Sequence, residues 1–583
     1  MTEDQAPGHA PESTVLEIHD LRAPPLSGIA LRAAAYTLEL PWLGALPRKL
    51  LLRSSSILVW RAQNPSTSRS LPTFPTHPPP TSKSAKPETS DLNQLFYTLT
   101  SPNPPQRDHL SLACLHHAYA TASSTPTLVV STLERLIEES NRTEPPLNAL
   151  RSPPPEHLQT EIQASTERWA AGRPRSVLDG APFSAKFCID IAGLPSSGGT
   201  RHEFTIATND APVVSALRQL GMLPITKSNQ DELALGTRGL SQGAGSVRNP
   251  HNPLHCPGGS SGGCASAVAA GLVPVSLGSD SGGSVRIPAA CCGVFGLKPT
   301  FSRISAHGVI YEPDNGPPSP ARSLGVLAAR ADDLALVYYA LAAWAPTPGG
   351  VPAKPIPTAV LDNVRGLKIG VYDAWNATAW KGARDATENV LNCMQEGGAT
   401  VKKISIPHLE GIRVANSVSL MRYTIDSLSK SGVYKPSTTN PVLGYGVRMK
   451  LAVAREFTAD DEIRARVIRE EAMKHAAQLF EQVDVIITPT LAIPTPKVPS
   501  DVVNGDMDIV TESAMMRFTI YANLTGLPAL SFPAGKDDSG LPLGVQAIAG
   551  AWNEDVLIRI ARWSAQQFDP CVPEKVYNVL HDR

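Results

Sequence analysis

Two glycine–serine turns 24 positions apart constrain this chain more than any other feature. The first is Gly258-Gly259-Ser260-Ser261-Gly262-Gly263, and the second is Asp280-Ser281-Gly282-Gly283-Ser284-Val285-Arg286. Between them runs Cys264-Ala265-Ser266-Ala267-Val268-Ala269-Ala270, whose small side chains predict a very closely packed helix over 261–271. The apolar run 272–277 then predicts a strand that delivers the second turn. Upstream, Lys186 interrupts an apolar run that includes Phe183, Ala185, Phe187 and Ile189. A lysine in such a strand is desolvated, which lowers its pKa toward neutrality and makes it a competent base.

Each of these signals is weak alone, because a Gly-Gly-Ser turn is usually structural and an edge-strand lysine usually reaches solvent. Together they describe acyl-transfer chemistry. Glycines at 282 and 283 let a carbonyl approach the backbone. The consecutive amides of Ser281, Gly282, Gly283 and Ser284 are expected to face one concavity as an oxyanion hole. Ser284 is the candidate nucleophile, Ser260 the proton relay and Lys186 the base, with Ser261 as local hydrogen-bonding support. A glycine before Ser260 also permits a cis peptide at that position. Asp280 and Arg286 read as an ion pair bracing the nucleophile turn.

Along the 583 residues the texture changes three times. Residues 28–62 are Leu/Ala-rich, broken by Pro41 and Pro47, and carry Arg32, Arg48, Lys49 and Arg53. They read as helices packed on the main domain, or as a surface that meets a membrane. Residues 65–91 are Pro/Ser/Thr-rich and read as a mobile linker. From 93 to 178 the spacing of Val129, Val130, Leu133, Leu136 and Ile137 is helical and continues over 162–169. Beyond that, short apolar runs (183–191, 272–277, 485–487, 529–533, 544–548) alternate with helical stretches, while 351–480 looks mostly helical. The expected organisation is an N-terminal helical extension over 1–144, a catalytic α/β domain over 145–570 and a tail over 571–583.

Composition excludes several classes. With 52 basic against 53 acidic residues, the chain lacks the basic excess that phosphate binding needs, so nucleic acid is not an expected partner. Eight cysteines without CxxC pairs read as reduced thiols and hence an intracellular protein, cytoplasmic or peripheral on an internal membrane. The polar, acidic N-terminus is not a secretory signal, and no run of about 18 apolar residues predicts a membrane span. A zinc site from His251, His255, Cys256 and Cys264 fits no structural-zinc spacing well. Gly243-Ala244-Gly245-Ser246 lacks the third glycine of a dinucleotide loop, and the first turn lacks the lysine of a phosphate loop.

The lysine strand, the Gly-Gly-Ser-Ser-Gly-Gly loop and the 280–288 motif (DSGGSVRIP) resemble the amidase signature family. Supporting segments are 227–233 (KSNQDEL), 248–250 (RNP), 296–300 (GLKPT) and 541–546 (LPLGVQ). The similarity is greatest to plant-type fatty acid amide hydrolases, through 21–28 (LRAPPLSG), 176–180 (SVLDG) and the run from Asn504 to Gly526. The resemblance implies an α/β fold in which a large, mixed, twisted β-sheet is covered by helices on both faces. It also implies hydrolysis of carboxylic amides, fatty acid amides among them, by Lys186, a cis Ser260 and Ser284 through an acyl-enzyme, with no cofactor and no metal. Substrate contacts fall on Ser260, Ser281, Gly282, Gly283 and Ser284. The implied partner is a small-molecule or lipid amide, with membrane contact through 28–62 and a homodimer left open. A generic amide or carbamate hydrolase, one component of an amidotransferase, or a surface protein with a lapsed site are the competing readings. Phe187, where the family usually has an acidic or small polar residue, and the loop 204–210 depart from the pattern.

Overall fold

The computed structural model describes residues 25–39, 47–49, 57, 61, 87–100, 109–151, 157–201, 206–310, 322–345, 353–430, 434, 442–500 and 505–581. Twelve strands lie among them. They are β1 Leu26–Ser27, β2 Pro182–Lys186, β3 Leu223–Ser228, β4 Val275–Asp280, β5 Phe295–Lys298 and β6 Ser323–Ala328. Then come β7 Lys368–Val371, β8 Thr400–Lys403, β9 Val485–Pro489, β10 Asp506–Met507, β11 Ala529–Lys536 and β12 Pro542–Ala549. Ten form one mixed sheet in the order β3-β2-β4-β6-β5-β11-β12-β9-β7-β8, and β1 pairs with β10 in a separate antiparallel ribbon. This is the α/β architecture expected from the alternating runs.

Alternation along the strands feeds two cores, one per face, because successive side chains point to opposite sides of a sheet. Val485 and Ile487 join one core and Ile486 the other; Ala547 and Ala549 are likewise separated from Ile548. The first core is closed by helices Leu112–Ala120, Pro126–Arg142, Ala331–Trp344 and Glu554–Gln567. The second is closed by Leu409–Lys430, Ala459–Leu479 and Ile520–Thr525.

Several boundaries differ from the sequence expectation. The strand carrying the nucleophile turn runs to Asp280 instead of stopping at Leu277, because Gly278 and Ser279 stay paired to β6. Leu92, Leu95, Leu133 and Leu136 belong to the same core as the main sheet, so no break in packing marks residue 144. Within the stretch read as helical, β7 and β8 form one edge of the sheet. Most of the Pro/Ser/Thr-rich segment 65–91 lies outside the described residues. All eight cysteines are free thiols. No helix among the described residues is long and apolar enough to cross a membrane.

Candidate active site

Strands β2 and β4 pair in parallel, so their C-terminal ends emerge on one edge of the sheet. That register sets Lys186, the last residue of β2, beside Ser279 and Asp280 at the end of β4. The carboxyl edge of parallel strands is where α/β sheets characteristically hold ligands.

Lys186 is fully buried. Its Nζ donates to Ser260 Oγ at 2.7 Å and to Ser279 Oγ at 3.0 Å. Burial holds its pKa below the usual lysine range; Cys188, Cys264 and Asp231 partly oppose that shift and Arg322 adds to it. No sequence motif marks Ser279 for this contact. Only the register of β2 on β4 makes it the lysine's neighbour.

The Gly259–Ser260 peptide is cis. The Ser260 carbonyl accepts from the Asp231 N–H at 3.2 Å. Beside it, a Cβ on Gly259 would overlap the Asp231 carboxylate, so glycine alone fits there. The two turns are tied together directly, because the Ser261 N–H donates to the Ser284 carbonyl at 3.1 Å. The helix Gly262–Ala269 follows at once, packed so closely that a Cβ on Gly263 would overlap the Asn229 backbone.

Asp280 organises the nucleophile turn. It accepts from the Gly283 N–H at 2.8 Å, the Val285 N–H at 3.1 Å and Asn523 Nδ2 at 2.8 Å. Arg286 forks onto both its oxygens at 3.1 and 2.9 Å, and both partners are fully buried. The Arg286 guanidinium holds the carboxyl well below the usual carboxylate range against its burial. Arg286 also donates to the Thr519 carbonyl and to Gln546 Oε1, which locks the turn to β12. The ion pair read from the sequence is therefore present. Asn523 and Gln546 stand in segments that carried the family resemblance, but nothing in the sequence assigned them to this network.

The oxyanion expectation needs one revision. The Gly283 N–H is committed to Asp280, so it does not stand in a row with the amides of Ser281, Gly282 and Ser284. Gly283 has φ +118°, and a Cβ there would overlap the Thr519 side chain. Ser284 itself is buried, with 8% of its surface exposed.

The zinc alternative finds no cluster: His251 Nε2 lies 3.0 Å from the Cys292 carbonyl, and Cys264 Sγ donates toward the Leu277 carbonyl. No group of His, Cys, Asp or Glu among the described residues is arranged to hold a metal. Phe187 is buried, and the loop at 204–210 falls partly outside the described residues.

A family model described as Amidase matches residues 131–558. The chain belongs to the amidase signature family. It is 36% identical over 458 residues to a fatty acid amide hydrolase of Medicago truncatula, covering 76% of this chain and 74% of that one. A fatty acid amide hydrolase of Oryza sativa subsp. indica is 32% identical over 572 residues, 93% of this chain and 92% of the relative. A glutamyl-tRNA(Gln) amidotransferase component of Pseudomonas entomophila is 33% identical over 466 residues, 74% and 93% of the two chains. The crystal structure of an amidase superposes with TM-score 0.68 at 27% identity, over 79% of this chain and 100% of that one. This amidase signature protein is thus a hydrolase of amide bonds related to the plant fatty acid amide hydrolases.

Proposed function

We propose that this amidase hydrolyses fatty acid amides to acid and amine through Lys186, Ser260 and Ser284. The observation that carries the reading is the 2.7 Å contact between the buried, pKa-depressed Lys186 and Ser260, on a loop bonded to the Ser284 carbonyl. Neutral Lys186 takes the Ser260 proton while Ser260 takes that of Ser284. Ser284 Oγ bonds to the substrate carbonyl carbon, and the carbonyl π pair moves to oxygen. The amides of Ser281, Gly282 and Ser284 receive that oxyanion. Its collapse expels the amine, protonated by Ser260 with Lys186 resupplying the proton, and leaves an acyl-Ser284 ester. Water, deprotonated by the same relay, then releases the acid and restores Ser284. Covalent catalysis divides one hard step into two. The long-chain preference rests on the similarity to the fatty acid amide hydrolases over nearly the whole chain. Substrate delivery from a membrane surface through residues 28–62 belongs to the same proposal. A homodimer is compatible with it.

The test is labelling with a fluorophosphonate alongside a hydrolysis panel of acetyl, glutaminyl and long-chain N-acyl amides. Ser284 is expected to be the labelled residue, and Ser284→Ala to lose both labelling and turnover. A panel led by glutamine amide would move the reading to the amidotransferase chemistry named for the bacterial relatives.

A further inference from the structure

Asn416, in the helix Leu409–Lys430, reaches the nucleophile turn from the second core. It is 2% exposed, and its Nδ2 donates to the Ser281 carbonyl at 3.3 Å. Its Oδ1 is buried with no hydrogen-bond partner among the described residues. A buried amide with one end unsatisfied costs free energy, so this side chain is a poor choice for packing alone. Exchanging its N and O would set one acceptor against another at Ser281, which fixes the assignment.

The consequence runs through the peptide plane. In a trans peptide the carbonyl and the following N–H point in opposite directions. With the Ser281 carbonyl drawn toward Asn416, the Gly282 N–H points away from that helix. The next plane is held in the same manner, since the Gly282 carbonyl accepts from Thr519 Oγ1 at 2.7 Å while the Gly283 N–H turns to Asp280. Gly282 therefore carries an amide whose direction is set by a side chain and which stands outside the Asp280 network.

We propose that Asn416 is a positioning residue for the oxyanion hole, aiming the Gly282 N–H at the substrate carbonyl oxygen by holding the Ser281 carbonyl. The proposal rests on Ser284 being the nucleophile, and it adds a residue on a separate helix that acts through the Ser281 carbonyl.

The test compares wild type, Asn416→Leu and Asn416→Asp for kcat, KM, thermal midpoint and inhibition by a long-chain trifluoromethyl ketone, which forms an oxyanion on the nucleophile. Removing an oxyanion donor outright costs on the order of 10²–10³ in kcat, so loss of its orientation should cost Asn416→Leu about 10- to 100-fold. KM should stay within about twofold, and the ketone's Ki should rise by the same factor as kcat/KM falls. In Asn416→Asp an ionised carboxylate repels the Ser281 carbonyl, whereas the protonated acid can donate to it. The ratio of its kcat to that of wild type at the same pH should therefore climb as pH is lowered. A change confined to KM, a Ki that moves independently of kcat/KM, or a flat ratio for Asn416→Asp overturns the proposal. If Asn416→Leu fails to fold, the Asn416→Asp ratio decides. Hydrolysis surviving in Ser284→Ala would instead overturn the underlying reading, whereas a Ser284-dependent enzyme indifferent to Asn416 overturns this inference alone.

Discussion

Lys186 is buried by the fold, and burial favours the neutral amine that the proposed reaction needs. Burial sets its folded pKa below the unfolded lysine value of about 10.4, so the unfolded chain binds more protons over the pH range between the two. Stability contributed at this site therefore rises with pH toward that unfolded value. Lys227 and Lys298, held by burial at about 8 and about 7, add slope of the same sign. Lys186→Met should flatten the rise in thermal midpoint between neutral and alkaline pH while lowering kcat/KM by about 10²–10⁴. Calorimetry and a pH–rate profile check both, and an unchanged slope would remove Lys186 from this account. Asp280→Asn is the complementary case, because it leaves the fully buried Arg286 without its counter-charge. A loss of about 3–5 kcal/mol in chemical denaturation is expected, together with loss of Ser284 labelling. The Lys186–Ser260 contact and the Asp280–Arg286 pair were legible because residue type and local motif mark those four residues. Ser279, Asn416, Thr519, Asn523 and Gln546 were not, since each acts through a contact made by an element distant in sequence.

At the scale of elements, the glycine turns were legible because their geometry is local, whereas sheet edges were not. β8 reads Thr400-Val401-Lys402-Lys403 and is largely exposed, so the apolar alternation that announces a strand is missing; lysines on an edge strand also discourage pairing with another chain. The same locality makes the turns testable. At Gly283 a side chain meets both a positive φ and the Thr519 side chain. Gly283→Ala should cost about 1–3 kcal/mol from overpacking, and its kcat should fall further than KM rises because the turn that aims Ser284 must move. Wild-type kcat in that variant would show that the turn tolerates repacking. A second test lies outside the hydrogen-bond network of the site, where the Ala331–Trp344 helix carries buried Asp333, whose oxygens both accept from the Leu112 N–H at 3.2 Å. Burial raises its carboxyl to about 7, opposed by Arg330. Here the folded state binds the extra proton, so this contribution falls as pH rises from about 4 to about 7. Asp333→Asn should remove that decline without altering the pH–rate profile, and a decline that persists would place its origin elsewhere.

Across the whole molecule, the N-terminal segment was legible as helices packed on the main domain or meeting a membrane, and its first helix does pack on the body. Leu31, Ala35 and Leu38 pack on Met449, Ala452 and Met507, and β1 pairs with β10. Glu39 meets Arg448 in a buried pair, Arg48 meets Glu456 at 2.6 Å, and Arg61 meets Asp461 at 2.5 Å. Deleting residues 1–62 would strand Arg448, 2% exposed, without its carboxylate, so such a truncation reports on stability before it reports on substrate. A surface change on the same helix separates the two. Ile29 is 87% exposed on the face opposite the packed one, so it is the position at which the proposed membrane contact can be tested without disturbing the packing. Each CH₂ of an acyl chain transferred from water offers about 0.8 kcal/mol, so palmitoyl amides should be turned over far more efficiently than acetyl amides of the same amine. Ile29→Asp should then lower kcat/KM for the palmitoyl amide presented in anionic vesicles, leave the acetyl amide in buffer unchanged and keep the thermal midpoint. Glu39→Gln, by contrast, should lower the midpoint and both activities together. Equal efficiency on the two chain lengths, or an Ile29→Asp variant that keeps full vesicle activity, would reduce the N-terminal helix to a structural brace.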